Sequence, residues 1–178
     1  MRIVVTGSNG QLGTEVMDLL GRSEHHEVLG LDLPDHDLTD RDHVLGVVTS
    51  FEPDLIDGTK TTPYVEWDGP NPQSVYGRTK LGGESEIDPG WTIARTSWVC
   101  GRHGNNMVKT LLRLAGERDT LSFVDDQIGH PTFAQDLAAM VVKLGVERVP
   151  GVFHTTNQGV VSWYGFARAV FAAAGHDP

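Results

Sequence analysis

A glycine-rich turn between an apolar segment and an amphipathic segment limits how this chain can begin. Residues 2–6 (RIVVT) form a short, largely apolar run that ends at Gly7. The apolar side chains that follow recur at helical spacing: Leu12, Val16, Leu19 and Leu20. Residues 26–32 (HEVLGLD) then have the composition of a second strand. Two strands joined through a helix lie parallel, so the sequence predicts an amino-terminal βαβ unit.

The turn itself, GSNGQLG, has glycines at Gly7, Gly10 and Gly13. At the junction of a strand with a helix, such glycines allow a tight turn, close approach of the backbone to a pyrophosphate, and close packing of helix on strand. The free N–H groups of the first helical turn attract phosphate. The spacing is GxxGxxG instead of GxGxxG, and similar turns occur without ligands, so a dinucleotide site needs support from elsewhere in the sequence.

Asp32 supplies that support, because it lies 19 residues beyond Gly13 at the end of the predicted second strand. A carboxylate there can accept hydrogen bonds from an adenosine ribose. The alternative is an ordinary acidic strand end. No Arg or Lys follows before Arg41, so a 2′-phosphate has no evident partner. This argument favours NADH over NADPH, and both remain open.

The rest of the chain continues to alternate between strand and helix patterns. We predict helices over about 40–51, 73–86, 105–117, from 132 onward and over 162–175, and strands over 54–56, 91–99, 120–126 and 151–157. Thr132 and Gln135 have capping-box spacing, and Ser162 and Gly175 are expected to cap and end the last helix. This alternation predicts an α/β fold with a doubly wound parallel sheet covered on both faces.

Composition excludes several classes of protein. With 24 acidic against 14 basic residues, the net charge of −10 argues against general attraction to nucleic acid or to an anionic membrane surface. The single cysteine, Cys100, excludes an internal disulfide, and no Cys/His group has metal-ligand spacing. No apolar run approaches the length that spans a bilayer, so we expect a cytoplasmic protein without a metal or a membrane partner.

The segment SVYGRTK places Tyr76 and Lys80 four residues apart, on one face of a predicted helix. A phenol with its ordinary pKa of about 10 releases a proton poorly at neutral pH, and each unit of lowering needs about 1.4 kcal/mol of phenolate stabilisation. A neighbouring ammonium supplies such stabilisation. The phenol can then donate a proton to a carbonyl oxygen while hydride arrives at the carbon. YxxxK alone is common, but after a nucleotide-binding turn it predicts a catalytic pair.

Several segments, in this order, resemble the extended short-chain dehydrogenase/reductases, and within them those that reduce nucleotide-linked 4-keto-6-deoxy sugars. They are VTGSNGQLG, DLTD, NPQSVYGRTKLGGE, ARTSWVCGRHGNNMVKTLLRLA, VDDQIGHPT and GVFHTTNQGVVSWYGFA. The resemblance covers most of the chain. It implies a Rossmann domain, here residues 1–130, interleaved with part of a smaller sugar-nucleotide domain, here residues 131–178.

The resemblance also implies the roles of individual residues, with NADPH or NADH as the cofactor. Gly7, Gly10, Gln11, Leu12 and Gly13 would line the pyrophosphate, Asp32 would meet the ribose, and Asp37 with Leu38 the adenine. Tyr76 would be the proton donor, and Lys80 would be its electrostatic partner and also hold the nicotinamide ribose. Trp98, Asn105 and Arg113 would contact the substrate, although a tryptophan on a strand is more often a core residue.

Seven of the fourteen basic residues lie between Arg78 and Arg118. Without the resemblance, they are most simply the solvated faces of helices. With it, the cluster from Arg95 to Arg113 becomes a candidate positive wall around a nucleotide diphosphate.

The activity that the resemblance implies is reduction of the 4-keto group of a dTDP-4-dehydro-6-deoxy sugar, with dTDP-L-rhamnose for cell-wall polysaccharide as the expected product. The alternatives are a non-catalytic NAD(P)-binding regulatory subunit and a nucleotide-sugar epimerase or dehydratase of the same superfamily. A homodimer is compatible with the resemblance. Magnesium bridges dimers in part of the family, but the sequence shows no recognisable ligand set for it.

The sequence departs from the family most strongly at the junction EPDLIDGTK. Family members continue after PDLI with a helix and a strand, about fifty residues, and that strand carries the Ser or Thr that polarises the substrate carbonyl. Losing a central strand would cost several kcal/mol, against a total stability of roughly 5–15 kcal/mol. We therefore expect the complete molecule to contain further residues here, which a Cα–Cα distance of about 3.8 Å between Ile56 and Asp57 would contradict.

Three smaller departures accompany the junction. The family continues beyond Pro178 to complete its sugar domain. Cys100 stands where a tyrosine is usual, and His130 stands where a small residue is usual. The last two are expected to affect the fit of the substrate and not the fold.

Overall fold

Five helices and nine strands make up the described part of the chain. The computed structural model describes residues 1–32, 62–176 and, as backbone, 48–51. The Ile56–Asp57 junction and the predicted strand at 54–56 therefore lie outside the described residues.

The predicted amino-terminal βαβ unit is confirmed. Strand β1 (Arg2–Thr6) leads through helix α1 (Gln11–Gly21) to strand β2 (Glu27–Leu31). The two strands are parallel, with Arg2 opposite Glu27 and Thr6 opposite Leu31. This register brings the carboxyl ends of both strands, and therefore the glycine turn and Asp32, to the same edge.

A second parallel sheet contains strands β3 (Val48–Phe51), β4 (Thr92–Thr96) and β8 (Gly151–His154), with β4 in the centre. The helix predicted over 40–51 is wrong at 48–51. The residue types there, Val, Thr, Ser and Phe, include three that suit a pleated surface, and β4 offers them a hydrogen-bonding edge. Among the described residues, β1 and β2 are not hydrogen-bonded to this sheet.

Two predicted strands differ from the structure. The strand predicted over 91–99 is interrupted after β4, because Trp98 has a positive φ of 46°, and it resumes only as β5 (Val99–Cys100). Residues 120–126 form no strand. Leu121 and Phe123 do pack against a buried core, but β-sheet pairing begins later, at β6 (Ile128–Gly129).

Short ladders connect the loops that follow the main sheet. Strand β5 pairs in parallel with β7 (Thr132–Phe133), and β6 pairs antiparallel with β9 (Val161–Ser162). These ladders hold the segment after β4 against the segment that precedes the last helix.

Helices α2 (Val75–Ser85), α3 (Met107–Glu117), α4 (Ala134–Glu147) and α5 (Trp163–Ala173) lie where the sequence predicts them. Ser162 caps α5 and Gly175 follows it with a φ of 79°, as predicted. The predicted capping box at α4 is wrong. Thr132 is held in β7, where its hydroxyl donates to the carbonyl of His130, so the N-cap position falls on Phe133.

Helix α4 joins the two sheets through one apolar layer. Its Ala138 packs with Val16 and Leu20 of α1 against β1 and β2, while Leu137 and Val141 pack against Ala94 of β4. The opposite face of the β1–β2 pair is open, since Val4 is 44% and Leu29 is 56% exposed.

A separate core lies between α3 and α5. Its buried residues are Cys100, Leu111, Phe166, Ala167 and Phe171. Burial raises the pKa of the Cys100 thiol, which keeps that thiol protonated and poorly reactive.

Candidate active site

The glycine turn after β1 has the geometry that its spacing predicts. Gly7 adopts a φ of 66°, and the amide of Gly10 donates to the Gly7 carbonyl at 3.0 Å. A Cβ atom on Gly13 would lie 2.0 Å from the same carbonyl oxygen. Gly7 therefore makes the turn, and Gly13 permits close contact between the helix and the loop.

The amino end of α1 is open to an anion. Its N-cap residue is Gly10, and no side chain caps the first turn. The N–H groups of that turn have no partner within the helix, so they are available to a phosphate. Asp32 stands at the same edge, where its Oδ2 accepts a hydrogen bond of 2.7 Å from the Asn9 amide. A glycine cradle that a Cβ would fill and an uncapped helix end fit a dinucleotide pyrophosphate.

A loop over residues 101–106 lies against the start of α1. Gln11 donates its side-chain amide to the carbonyl of Asn105 at 2.8 Å. Lys109 holds the loop by donating to the carbonyls of Arg102 and Gly104, both at 2.7 Å. The structure thus brings Asn105 to the nucleotide turn. The contact of Gln11 with this loop could not be read from sequence, because 94 residues separate the two groups.

Leu12 differs from its neighbours in the turn. Its side chain packs into the apolar layers formed by α1 with α4 and by α4 with β4. Any contact of Leu12 with a pyrophosphate would therefore come from its backbone. Asp37 and Leu38, predicted to meet the adenine, lie outside the described residues.

Tyr76 and Lys80 share one face of α2, as their spacing predicts. The Lys80 Nζ atom lies 5.3 Å from the centre of the Tyr76 ring, and the tyrosine is 45% exposed. Ser74 fixes the first turn by accepting a hydrogen bond of 2.9 Å from the Gly77 amide. The phenol and the ammonium are thus neighbours on a surface that a ligand can reach.

A buried ion pair fixes α2 to the central strand. Arg95 of β4 donates to both carboxylate oxygens of Glu84 at distances of 2.7–3.2 Å. Both side chains are almost fully buried. The prediction that Arg95 contributes to a positive wall around a diphosphate is therefore wrong. Arg95 lies within the predicted buried strand TIART, and a buried arginine requires an acidic partner, so the sequence contained a signal for this ion pair.

The other cations of the predicted wall have partners within the protein. Arg102 pairs with the buried Glu15 at 3.4 Å, and Arg113 pairs with Glu117 at 2.7 Å on the exposed surface of α3. Arg113 fits the description of a solvated helix face, and its role in substrate binding stays a prediction.

Trp98, predicted to contact the sugar, lies in the loop between β4 and β5. Its ring stacks on Trp163 with a centroid distance of 3.8 Å and an interplanar angle of 14°. The ring is half-buried, so part of it remains accessible. Sequence reasoning missed Trp163, because no local pattern links the first residue of α5 to the end of β4.

A second charged contact lies at the carboxyl end of β8. Glu66 accepts a hydrogen bond of 3.0 Å from the backbone amide of His154, and this bond is the main reason that the pKa of Glu66 is lowered. Burial lowers the pKa of His154 against the opposing charge of Glu66. Together they attach the segment that precedes α2 to the sheet. Sequence reasoning missed this contact as well.

One group of potential metal ligands occurs among the described residues: Glu15, Asp18 and His103, whose ligand atoms lie within 4.8 Å of one another. Glu15 already pairs with Arg102 and with His103. Exposed acidic groups are common without an ion, so we assign this group a structural role.

Comparison with known proteins identifies relatives along the whole chain. A family model described as the RmlD substrate binding domain matches residues 1–57 and 55–178. A dTDP-4-dehydrorhamnose reductase of Aggregatibacter actinomycetemcomitans is 33% identical, covering 97% of this chain and 79% of the relative. A dTDP-4-keto-6-deoxy-D-glucose reductase of Streptomyces niveus is also 33% identical, covering 99% of this chain and 80% of its own length.

Solved structures agree with this relationship. A dTDP-4-dehydrorhamnose reductase of Clostridium acetobutylicum superposes with a TM-score of 0.86 at 32% identity, over 99% of this chain and 81% of that one. The Bacillus anthracis reductase, solved in complex with NADP, gives 0.87 at 28% identity, over 98% of this chain and 82% of that one. These structures confirm the Rossmann-type α/β fold. Within the described ranges, no helix has both the length and the apolar character needed to cross a membrane.

Proposed function

The chain belongs to the RmlD substrate-binding-domain family, and on that premise we propose that it reduces the 4-keto group of a dTDP-4-dehydro-6-deoxy sugar with NADPH or NADH. The favoured case is conversion of dTDP-4-dehydro-L-rhamnose to dTDP-L-rhamnose. The observation that carries the proposal is the Tyr76–Lys80 pair on α2, with the ammonium 5.3 Å from the ring centre and the phenol exposed, in a chain whose family match covers both the glycine turn and α2. A phenol beside a cation is suited to donate a proton to a carbonyl oxygen.

The chain's own residues would bind and orient the cofactor, which supplies hydride when bound. Gly7, Gly10 and Gly13 form a cradle for the pyrophosphate, and the uncapped end of α1 faces its charge. Asp32 would accept a hydrogen bond from the ribose while it braces the turn through Asn9. A carboxylate at this position supports NADH, whereas the Bacillus anthracis relative was solved with NADP.

The proton step would depend on α2. Tyr76 gives its proton to the developing alkoxide, and Lys80 offsets the negative charge that remains on the phenol. Trp98, Asn105 and Arg113 stay proposals for the sugar-nucleotide side of the site. Residues 1–130 would form the cofactor domain and residues 131–178 part of the sugar domain, in a cytoplasmic enzyme that supplies cell-wall polysaccharide. A homodimer is compatible with this proposal.

Product analysis tests the proposal directly. The purified protein is incubated with dTDP-4-dehydro-L-rhamnose and NADPH or NADH, and both nucleotides and sugars are quantified. A reductase oxidises one cofactor for each sugar reduced. An epimerase or dehydratase of the same superfamily would transform the sugar without net oxidation of the cofactor, and that result would replace the proposal.

A non-catalytic cofactor-binding subunit is the second candidate, and the junction between residues 56 and 57 favours it. The family model matches in two stretches that meet there. The alignment with the Aggregatibacter relative spans 232 positions but uses 97% of 178 residues, so about 60 positions have no counterpart here. The resemblance places the carbonyl-polarising hydroxyl among them.

Intact mass and cofactor binding separate the two candidates. A species of 19.4 kDa that binds NADPH without oxidising it supports the subunit. A heavier and active species supports the enzyme.

A further inference from the structure

We propose that Trp163 is a positioning residue that holds the indole of Trp98 in the orientation needed for sugar binding, an inference that rests on the proposed function through the role of Trp98. The first observation is conformational. Trp98 has a φ of 46°, in the left-handed region that a bulky L-residue rarely adopts. Such a conformation persists only where the surrounding structure imposes it, and it is often found at binding sites.

Three contacts impose this conformation on Trp98. The Thr132 amide donates to the Trp98 carbonyl at 3.2 Å, which fixes the backbone between β4 and β5. The Trp163 ring covers one side of the indole in a nearly parallel stack at 3.8 Å. Gly129 closes another side, because a Cβ there would lie 2.6 Å from Cε2 of Trp98 and 3.0 Å from its Nε1. The indole thus contacts an aromatic ring and closely approaches a glycine.

The position of Trp163 is itself well determined. It is the first residue of α5, directly after the N-cap Ser162, whose hydroxyl accepts from the Gly165 amide at 3.0 Å. Its own amide donates to the Gln127 carbonyl at 3.3 Å, and its ring meets Phe166 at 6.1 Å. Trp163 therefore packs against the buried core between α3 and α5, whereas Trp98 lies between β4 and β5. Stacking on Trp163 therefore fixes the orientation of the partly exposed Trp98 indole.

A fixed Trp98 indole would favour binding of the sugar. An indole that could rotate freely would lose entropy on binding a sugar, and that loss would weaken affinity. An indole already stacked on Trp163 presents its accessible part in one orientation. Trp163 need not touch the sugar to act in this way, so its effect should fall on sugar binding and not on the chemical step.

The test compares Trp163→Leu with Trp163→Phe and with the control Trp91→Leu. Trp91 lies before β4, and its ring takes part in no aromatic pair among the described residues. We expect Trp163→Leu to raise the KM for dTDP-4-dehydro-L-rhamnose roughly three- to tenfold. The KM for NADPH and kcat should stay within about twofold. Trp163→Phe should restore most of the affinity, and Trp91→Leu should change neither KM.

Circular dichroism checks the stack itself, while the difference between the sugar KM and the other kinetic constants separates a positioning role from general destabilisation. Two stacked indoles couple electronically and give a paired positive and negative band in the far ultraviolet, whose intensity depends on the angle between their transition dipoles. We expect the wild type and Trp91→Leu to show the couplet, and Trp98→Leu and Trp163→Leu, which each lack one of the two rings, to lose it. A Trp163→Leu variant with unchanged sugar KM overturns the positioning role.

A variant outside α5 guards against misfolding of Trp163→Leu. Gly129→Ala should displace the indole, which would raise the sugar KM and alter the couplet. The control Gly116→Ala, whose Cβ meets nothing within 4 Å, should change neither.

Calorimetric binding of dTDP-L-rhamnose replaces KM if the protein proves non-catalytic. If Trp98→Leu weakens sugar binding but Trp163→Leu and Gly129→Ala do not, the inference fails and the proposed function stands. If Trp98→Leu also has no effect, the role of Trp98 fails with it.

Discussion

Helices α2 and α5 begin with nearly the same local sequence, yet the structure uses them differently. SVYGRTK (74–80) and SWYGFAR (162–168) share a serine N-cap, a tyrosine, a glycine and a cation four residues after the tyrosine. The cation lies 5.3 Å from the ring centre in α2 and 5.7 Å in α5. The two tyrosines are 45% and 43% exposed. A tyrosine beside a cation is therefore not an active site by its local geometry alone.

The surroundings of the two helices differ. Helix α5 packs through Phe166, Ala167 and Phe171 into an apolar core. Helix α2 buries only Gly77 and Glu84, and the buried ion pair with Arg95 attaches it to β4. One helix belongs to the hydrophobic core, and the other lies on the surface of the sheet with a charged attachment. This comparison predicts that the same substitution has different consequences in the two helices.

Removing the phenolic hydroxyl gives the largest expected difference. Tyr76→Phe should lower kcat by roughly 100- to 10,000-fold, the usual contribution of general acid catalysis, because the phenol is the proposed proton donor. Tyr164→Phe is the matched control and should leave kcat within about twofold. Initial rates of NADPH oxidation with dTDP-4-dehydro-L-rhamnose measure both. Equal losses, or none in either variant, would remove the distinction between the helices.

The sequence could predict what depends on near neighbours along the chain. Helices α2, α3 and α5 follow from periodicity and from the side chains of Ser74, Asn106 and Ser162 that cap them. The nucleotide turn follows from glycine spacing for the same reason. Capping and turn formation involve residues only a few positions apart, so a linear pattern contains the necessary information.

The sequence could not predict features imposed from a distance. Trp98 interrupts its strand because of Gly129, Thr132 and Trp163, which follow it by more than thirty residues. Thr132 does not cap α4, because it pairs with Val99 of β5 in a parallel ladder. Arg95, predicted to contact a ligand, pairs with the buried Glu84 instead. In each case a tertiary contact overrides a reasonable local preference.

The attachment of α2 provides the next largest effect. Glu84→Gln removes the carboxylate that the buried guanidinium of Arg95 contacts directly and should lower the free energy of unfolding by about 3–5 kcal/mol. The matched control is Glu117→Gln, which breaks the exposed Arg113 pair on α3 and should cost about 0.5 kcal/mol or less. Urea unfolding measures both. A small effect at Glu84 would show that contacts other than the ion pair hold α2.

The serine caps should give different kinetic effects. Ser74→Ala and Ser162→Ala each remove a cap hydrogen bond of 2.9–3.0 Å, which should cost about 1 kcal/mol. Ser162→Ala also removes the hydrogen bond that the Ser162 hydroxyl donates to Asp125, so its loss of stability should be the larger. Ser74 orients the turn that carries Tyr76, so its loss should act mainly on kcat. Ser162 precedes Trp163, so its loss should act mainly on the KM for the sugar. Identical kinetic changes in the two variants would contradict the division between the helices.

Acidification should give the smallest effect, and it should affect the α2 side of the molecule before the α5 side. Burial, opposed by the charges of Glu66 and Asp68 and aided by that of Arg95, lowers the pKa of His154 below its ordinary value of 6.5. The fold thus prefers the neutral imidazole, and the stabilisation present above that value is lost as the pH falls through the pKa of the folded state. Glu66, whose pKa is lowered from 4.5, contributes stability above that value, and this is lost on further acidification.

Hydrogen exchange measured from neutral pH downward tests this order, after correction for the intrinsic exchange rates. The amides of β8 and of residues 62–70 should lose protection first, because Glu66 and His154 connect these two segments. The core of α5 should keep its protection, since the only ionisable side chain in its buried cluster is Cys100, whose raised pKa keeps it protonated throughout this range. A Glu66→Gln variant should lose the step at lower pH and keep the step that belongs to His154. Loss of protection in α5 at the same pH as in β8 would mean that the two regions unfold as one unit. The difference between the charged contact at β8 and the apolar core of α5 would then have no consequence for stability.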